Sequence, residues 1–171
     1  MNKQAMLLLL IAGLTALTIL MNLDQPKESD TRIGARAAGF TLPTLSDQQR
    51  YAVKPGSGKP LILNFWASWC EPCKKEMPAL EMLYGRYRDQ VDILAVNLTE
   101  KDQIEAVRPF IAHYQITVPV LLDTGMKAAE LYRIAQIPTT YFIDRQGVIS
   151  DRMLGPVDED GLQARIDRLL H

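Results

Sequence analysis

The sequence predicts an α/β fold in which a central mixed β-sheet is covered by helices on both faces. Three observations support this prediction. Short apolar runs alternate with segments of helical periodicity along most of the chain. The run Leu61–Trp66 has the length and apolar character of a strand that is buried on both faces. A hairpin and one further helix then close the chain, so at least one strand should be antiparallel to its neighbours.

The amino-terminal region predicts a membrane anchor followed by a tether. Ala5–Met21 is apolar apart from Gly13, Thr15 and Thr18, at the short end of the ~17–25 residues that span a bilayer as a helix. No small-x-small cleavage pattern follows the run, so we expect an uncleaved signal-anchor over residues 1–23. A cleaved signal peptide, with a weak site at residues 16–18, is the alternative. Residues 24–36 are polar and aperiodic and predict a tether, and residues 37–171 predict one folded domain.

Periodicity predicts the elements of this domain in order. The expected strands are Phe40–Leu42, Tyr51–Val53, Leu61–Trp66, Val91–Leu98, Val118–Leu122, Thr139–Ile143 and Val148–Leu154. The first two should form a hairpin, and residues 144–147 should turn between the last two. The expected helices begin near Cys70, Ile104, Met126 and Asp158. Thr99-x-x-Asp102 predicts a capping box at the start of the second helix, with Asp in place of Glu.

The candidate active site is the sequence Cys70-Glu71-Pro72-Cys73 between the strand Leu61–Trp66 and the following helix. Residues three apart share a helix face, so the two sulfurs can form a disulfide. Pro72 favours the first helical turn, where its missing N–H has no partner to lose. Unpaired N–H groups and the helix dipole there favour a thiolate at Cys70, which predicts Cys70 as the nucleophile and the deeper Cys73 as the resolving thiol.

Two neighbours of Cys70 should tune its redox behaviour. Lowering a thiol pKa from ~8.5 to ~7 requires about 2 kcal/mol, and a helix terminus supplies roughly 0.3–2 kcal/mol. Glu71 opposes an adjacent anion, whereas Pro72 shapes the helix start. A less stable thiolate favours the oxidised form, so we expect a reductant rather than an oxidant.

The residues Leu61–Pro78 resemble the active-site strand and helix of the thioredoxin superfamily, and the dithiol segment is similar to membrane-anchored oxidoreductases of the ResA/TlpA type. Ile137-Pro138-Thr139-Thr140 resembles the family's cis-proline motif. The resemblance implies a thioredoxin-like fold with an N-terminal β-hairpin and a central helix-strand insertion, and a cis Pro138 packed against the dithiol. Trp69, Ile137 and Pro138 are the expected contacts to a partner protein.

Asn64 stands where ordinary thioredoxins carry a buried Asp, so another group must exchange a proton with Cys73. Glu76 lies three residues after Cys73, within reach on the same helix face. In ResA-like proteins an acid at this position is functional, so the resemblance implies the same proton-transfer role. The alternative is that Glu76 is an ordinary solvated surface acid.

Composition and the resemblance together define the expected activity. The net charge of −1 gives no electrostatic argument for nucleic acid binding. Two cysteines are too few for a four-cysteine zinc site, so we expect no metal and no cofactor besides the dithiol. The prediction is an enzyme, a thiol-disulfide oxidoreductase, and two alternatives remain: a thiol peroxidase, or a metal-carrying module that uses the dithiol as a ligand pair.

The resemblance also implies location and partners. The enzyme is expected at the cell membrane as a single-pass protein, with its catalytic domain on the extracytoplasmic side. Its substrates would be disulfide-containing exported proteins, with apocytochrome c during cytochrome c maturation as one candidate. Its electron donor would be a membrane protein of the DsbD/CcdA type.

Overall fold

The computed structural model of the protein describes residue 4, residues 11–15 and residues 30–171. Residues 11–15 are helical. Apart from residues 4 and 11–15, the predicted anchor lies outside the described residues, as does the predicted tether up to residue 29. Among the residues that are described, no helix is long and apolar enough to cross a membrane.

Seven strands form two sheets in the region from residue 30 onward. They are β1 (Phe40–Pro43), β2 (Arg50–Val53), β3 (Leu61–Trp66), β4 (Asp92–Asn97), β5 (Val120–Leu122), β6 (Thr139–Ile143) and β7 (Ile149–Leu154). Strands β1 and β2 form an antiparallel hairpin, and the other five form one sheet in the order β5-β4-β3-β6-β7. Strand β3 pairs in parallel with β4 and antiparallel with β6. The predicted mixed sheet and N-terminal hairpin are therefore confirmed.

Four helices cover this sheet: α1 (Glu71–Tyr87), α2 (Ile104–His113), α3 (Lys127–Leu131) and α4 (Glu159–Leu170). Two apolar clusters lie on opposite faces of β3, because successive side chains of a strand point to opposite sides. Ile62 and Trp66 join the cluster that packs against α1, α2 and α4. Leu63 and Phe65 join the other cluster, with α3 and the hairpin. Every residue of β3 is buried, as expected for a central strand.

Some predicted boundaries differ from the structure. Strand β5 begins two residues later than predicted, and α3 begins at Lys127, one residue after the expected Met126. Backbone bonds also join Gly34 to Ile149 and Ala37 to Gly147 at 2.8 Å each. Packed backbone therefore begins before residue 37, the predicted start of the domain.

The predicted capping box at Thr99 and Asp102 is wrong. Thr99–Lys101 is a single 3₁₀ turn, and α2 begins only at Ile104 with no side-chain cap. The Thr99 hydroxyl donates to the carbonyl and side-chain oxygens of Asn97 instead. The Asp102 carboxylate accepts hydrogen bonds from Ser68 and Asn97, as described below.

Candidate active site

The two cysteines form a disulfide at the start of α1. Cys70 is the N-cap residue, with extended backbone angles (φ −80°, ψ 104°), and its sulfur accepts a hydrogen bond from the Cys73 N–H at 3.2 Å. Glu71 and Pro72 are the first two helical residues. The Cα atoms of Cys70 and Cys73 are 5.2 Å apart, within the range of an ordinary disulfide. The predicted placement of the dithiol at the helix start is confirmed.

The disulfide lies at the edge of the apolar core. Cys70 is 4% exposed and Cys73 is 1% exposed. Both belong to the cluster that contains Trp66 and Met77, and Ile137 packs against that cluster. Both cysteines are therefore buried in the oxidised protein, and the assignment of Cys70 as the nucleophile stays a prediction.

Glu71 points away from this core. Its side chain is 74% exposed and forms an ion pair with Lys74, one turn further along the helix. Solvent and the ammonium group both offset the carboxylate charge, so its opposition to a Cys70 anion is weaker than the sequence alone suggests. Pro72, at the second helical position, has no N–H to leave unpaired there.

Glu76 lies on the side of α1 that faces the sheet, and it is buried, with an exposed fraction of 2%. The alternative of a solvated surface acid is therefore wrong. Its Oε1 accepts hydrogen bonds from the Asn64 Nδ2 at 3.4 Å and from the Thr140 hydroxyl at 3.3 Å. Asn64 also donates to the Thr140 hydroxyl oxygen at 2.9 Å. The two strand residues are opposite each other in the β3/β6 register, so the sheet presents both to the same carboxyl group.

Burial raises the pKa of Glu76 to about 7, against the opposing effect of the hydrogen bonds from Thr140 and Asn64. The second carboxyl oxygen, Oε2, is buried and has no hydrogen-bond partner in the protein. An ionised carboxylate costs far more free energy in such a place than a protonated carboxyl group does. Glu76 can thus gain or lose a proton near neutral pH, as a proton-transfer group requires.

The Ile137–Pro138 peptide bond is cis, as the resemblance implies. Pro138 is buried and immediately precedes β6. Phe65 pairs with Thr139 across the sheet, so the next register position sets Pro138 beside Trp66. The cis bond therefore lies next to the end of β3, where the chain leads into the dithiol.

Trp69 and the residues before Pro138 line the same cleft. The Trp69 side chain is 56% exposed, and its indole N–H donates to the Lys101 carbonyl at 2.8 Å. The cleft has a volume of about 310 Å³ and is lined by Trp69, Leu98, Lys101, Ile134, Ala135, Gln136 and Ile137. Trp66, in contrast, is fully buried and packs on Phe110 with ring centroids 4.8 Å apart. Trp69 is thus available to a partner and Trp66 belongs to the core.

Sequence reasoning assigned no role in this site to the side chains of Thr140, Ser68 and Asp102. Thr140 could have been suspected, because it places a hydroxyl in a strand whose five residues are all buried. The contact of Asp102 with Ser68 spans 34 residues and leaves no local pattern. Among the described residues, no group of three His, Cys, Asp or Glu side chains is arranged to hold a metal ion.

A mixed sheet, a disulfide at a helix start and a neighbouring cis-proline define the class of thioredoxin-like thiol-redox proteins. Comparisons with known proteins agree. The AhpC/TSA family model matches residues 33–152. The thioredoxin-like protein YneN of Bacillus subtilis is 36% identical over 94% of this chain and 94% of its own length. The thiol-disulfide oxidoreductase ResA of Bacillus thuringiensis is 30% identical over 97% of this chain and 94% of its own.

Solved structures show the same likeness. StoA from Bacillus subtilis is 32% identical with a TM-score of 0.67, over 75% of this chain and 96% of that one. The structure of MTB DsbF, in mixed oxidized and reduced forms, is 28% identical with a TM-score of 0.70, over 76% and 94%. The protein belongs to the AhpC/TSA family and is a thiol-disulfide oxidoreductase of the ResA type, with Cys70 and Cys73 as its CxxC pair.

Proposed function

We propose that the reduced enzyme donates two electrons to disulfides of exported proteins. The observation that supports this most is the buried Glu76, which follows Cys73 by three residues on the same helix and has a pKa of about 7. A dithiol that acts as a reductant must release the proton of its buried thiol before the second step, and Glu76 is a group that can accept it.

The reaction takes place in two exchanges. The Cys70 thiolate attacks one sulfur of the substrate disulfide, so that bond breaks, a Cys70–substrate disulfide forms, and the released substrate sulfur takes a proton. Cys73 then passes its proton to Glu76, and its thiolate attacks the Cys70 sulfur. The mixed disulfide breaks, the Cys70–Cys73 disulfide forms, and the second substrate sulfur leaves and is protonated.

The partner protein would dock beside Trp69, Ile137 and Pro138. Trp69 offers an exposed aromatic face to the cleft, and Ile137 lines the same cleft. Amphipathic aromatic side chains supply contact area at little cost in conformational entropy, so Trp69 suits the binding of unrelated sequences. An extended segment that carries the disulfide would thus be held next to Cys70.

The proposed setting is the extracytoplasmic side of the cell membrane, with residues 1–23 as a single-pass anchor. An enzyme that reduces substrates in an oxidising space must itself be reduced again. A membrane electron donor of the DsbD/CcdA type would supply those electrons, and apocytochrome c is one candidate substrate. The support is the apolar run Ala5–Met21 together with the similarity to ResA.

Trapping of the mixed disulfide tests the proposal. Cys73→Ser removes the resolving thiol, so in cells we expect it to accumulate covalent complexes with exported proteins that a reductant releases. Cys70→Ser is the matched control, with the same chemical change at the other thiol, and should capture none. Equal capture by both variants would contradict the assignment of Cys70 as nucleophile. Capture by neither would contradict the exchange scheme.

A further inference from the structure

The Asp102 carboxylate is held by four hydrogen-bond donors. Oδ1 accepts from the Ser68 hydroxyl at 2.6 Å and from the Gln103 N–H at 2.9 Å. Oδ2 accepts from the Ser68 N–H at 2.6 Å and from the Asn97 Nδ2 at 2.8 Å. All four partners are donors, so both side-chain oxygens act as hydrogen-bond acceptors.

Two of these bonds hold the short segment between β3 and the dithiol, residues 67–69. Ser68 is 8% exposed, and both its N–H and its hydroxyl are bound to Asp102. Trp66, two residues before Ser68, and Trp69, directly after it, are held by the same loop, residues 98–102. Leu98 N–H donates to the Trp66 carbonyl at 3.0 Å, and the Trp69 indole donates to the Lys101 carbonyl at 2.8 Å.

We propose that Asp102 is a positioning residue for partner binding, which acts through Ser68 to hold Trp69 as a fixed wall of the cleft. The inference rests on the proposed function, in which Trp69 and Ile137 contact the partner. Cys70 itself is held by other bonds, from its own N–H to Ala67 and from the Cys73 N–H to its sulfur. Loss of Asp102 should therefore weaken the binding of protein disulfides more than it alters the exchange chemistry.

Asp102→Asn is the sharpest variant, because it keeps the shape of the side chain and replaces one acceptor oxygen by an NH₂ group that faces two donors. Ser68→Ala is a milder second variant that removes only the hydroxyl bond, and it keeps the test informative if Asp102→Asn folds poorly. Glu105→Gln makes the same change of charge at an exposed position three residues further on and serves as the control.

The measurement is the single-turnover rate of the pre-reduced, full-length chain against two substrates. One is a disulfide-bonded peptide, and the other is the small disulfide 5,5′-dithiobis(2-nitrobenzoate). In Asp102→Asn, we expect the half-saturating peptide concentration to rise about tenfold, as for loss of a charge-assisted hydrogen bond. The maximal rate, the rate with the small disulfide and the equilibrium with dithiothreitol should stay as in the wild type.

The indole N–H signals provide a second readout, because the chain has two tryptophans. Hydrogen exchange at the Trp69 indole should accelerate in Asp102→Asn, whereas the buried Trp66 indole serves as the internal reference. An unchanged half-saturating concentration, or an equal loss of rate with both disulfides, would overturn the positioning role and leave the proposed function standing. Failure of the reduced wild type to reduce the peptide disulfide at all would overturn both.

Discussion

Glu76→Gln tests the environment of the buried carboxyl group through the pH dependence of stability. Gln has nearly the same shape as a protonated Glu and keeps an oxygen that can accept from Asn64 and Thr140. Unlike Glu, it has no proton to lose over the range of interest. The variant therefore removes one titration and leaves the local packing in place.

The magnitude follows from the raised pKa. The pKa of Glu76 is about 7 in the folded protein, compared with 4.5 for an ordinary glutamate carboxyl group in water. The folded state therefore binds this proton more tightly than the unfolded state does. The stability that this proton contributes is fully present below pH 4.5 and is lost as pH rises through 7. A difference of this size corresponds to roughly 3 kcal/mol of stability lost by about pH 8.

The assay is urea unfolding of the oxidised protein at several values of pH from about 4.5 to 8, with wild type and variant compared at each. The free energy of unfolding of Glu76→Gln, relative to wild type, should rise by roughly 3 kcal/mol over this range. Other titrating groups, such as the buried Asp123, whose pKa burial also raises, are common to both proteins and cancel in the difference.

Glu105→Gln is the control, because it removes an exposed carboxylate and reports what a change of net charge alone does. A difference between Glu76→Gln and wild type that does not change with pH would refute the reasoning. It would mean that Glu76 titrates in the folded protein as it does in the unfolded chain. The proton-transfer role of Glu76 would then lose its physical basis.

Two further predictions concern the scaffold. Gly147→Ala should destabilise the protein by more than ~1 kcal/mol, because Gly147 has φ +81° and a Cβ there would lie 2.9 Å from the Gly56 nitrogen. Gly85 is the contrast, because it lies at an exposed helical position where an added Cβ would meet nothing within 4 Å. Gly85→Ala should therefore stabilise the protein by about 0.5–1 kcal/mol in the same denaturation assay. Asp158→Ala removes the N-cap bond from the Gly161 N–H at 2.9 Å and should lower the unfolding free energy by about 1 kcal/mol. Equal effects of the two Gly substitutions, or an unchanged stability of Asp158→Ala, would contradict these accounts.

The predicted elements and the structure agree best where the pattern is long and apolar. Strand β3 has the predicted bounds, and β6 does as well. The weaker predictions fail near polar residues, as at Thr99 and Asp102. There, local spacing predicted a helix cap, but two bonds from Ser68 outcompete it. A polar side chain can form hydrogen bonds either with nearby backbone groups or with residues distant in the sequence, and tertiary contacts decide which of these form.

The position of the dithiol is a local property, and the chain encodes it in four consecutive residues. Cys-Glu-Pro-Cys after a buried strand suffices, because the three-residue spacing and the proline both belong to a first helical turn. The proton affinity of Glu76 is not local. It depends first on burial, which two strands far apart in the chain impose, and then on the opposing hydrogen bonds from Thr140 and Asn64 on those strands. Helical spacing indicates the side of α1 on which Glu76 lies. Its carboxyl group is removed from water only when the sheet packs against that side.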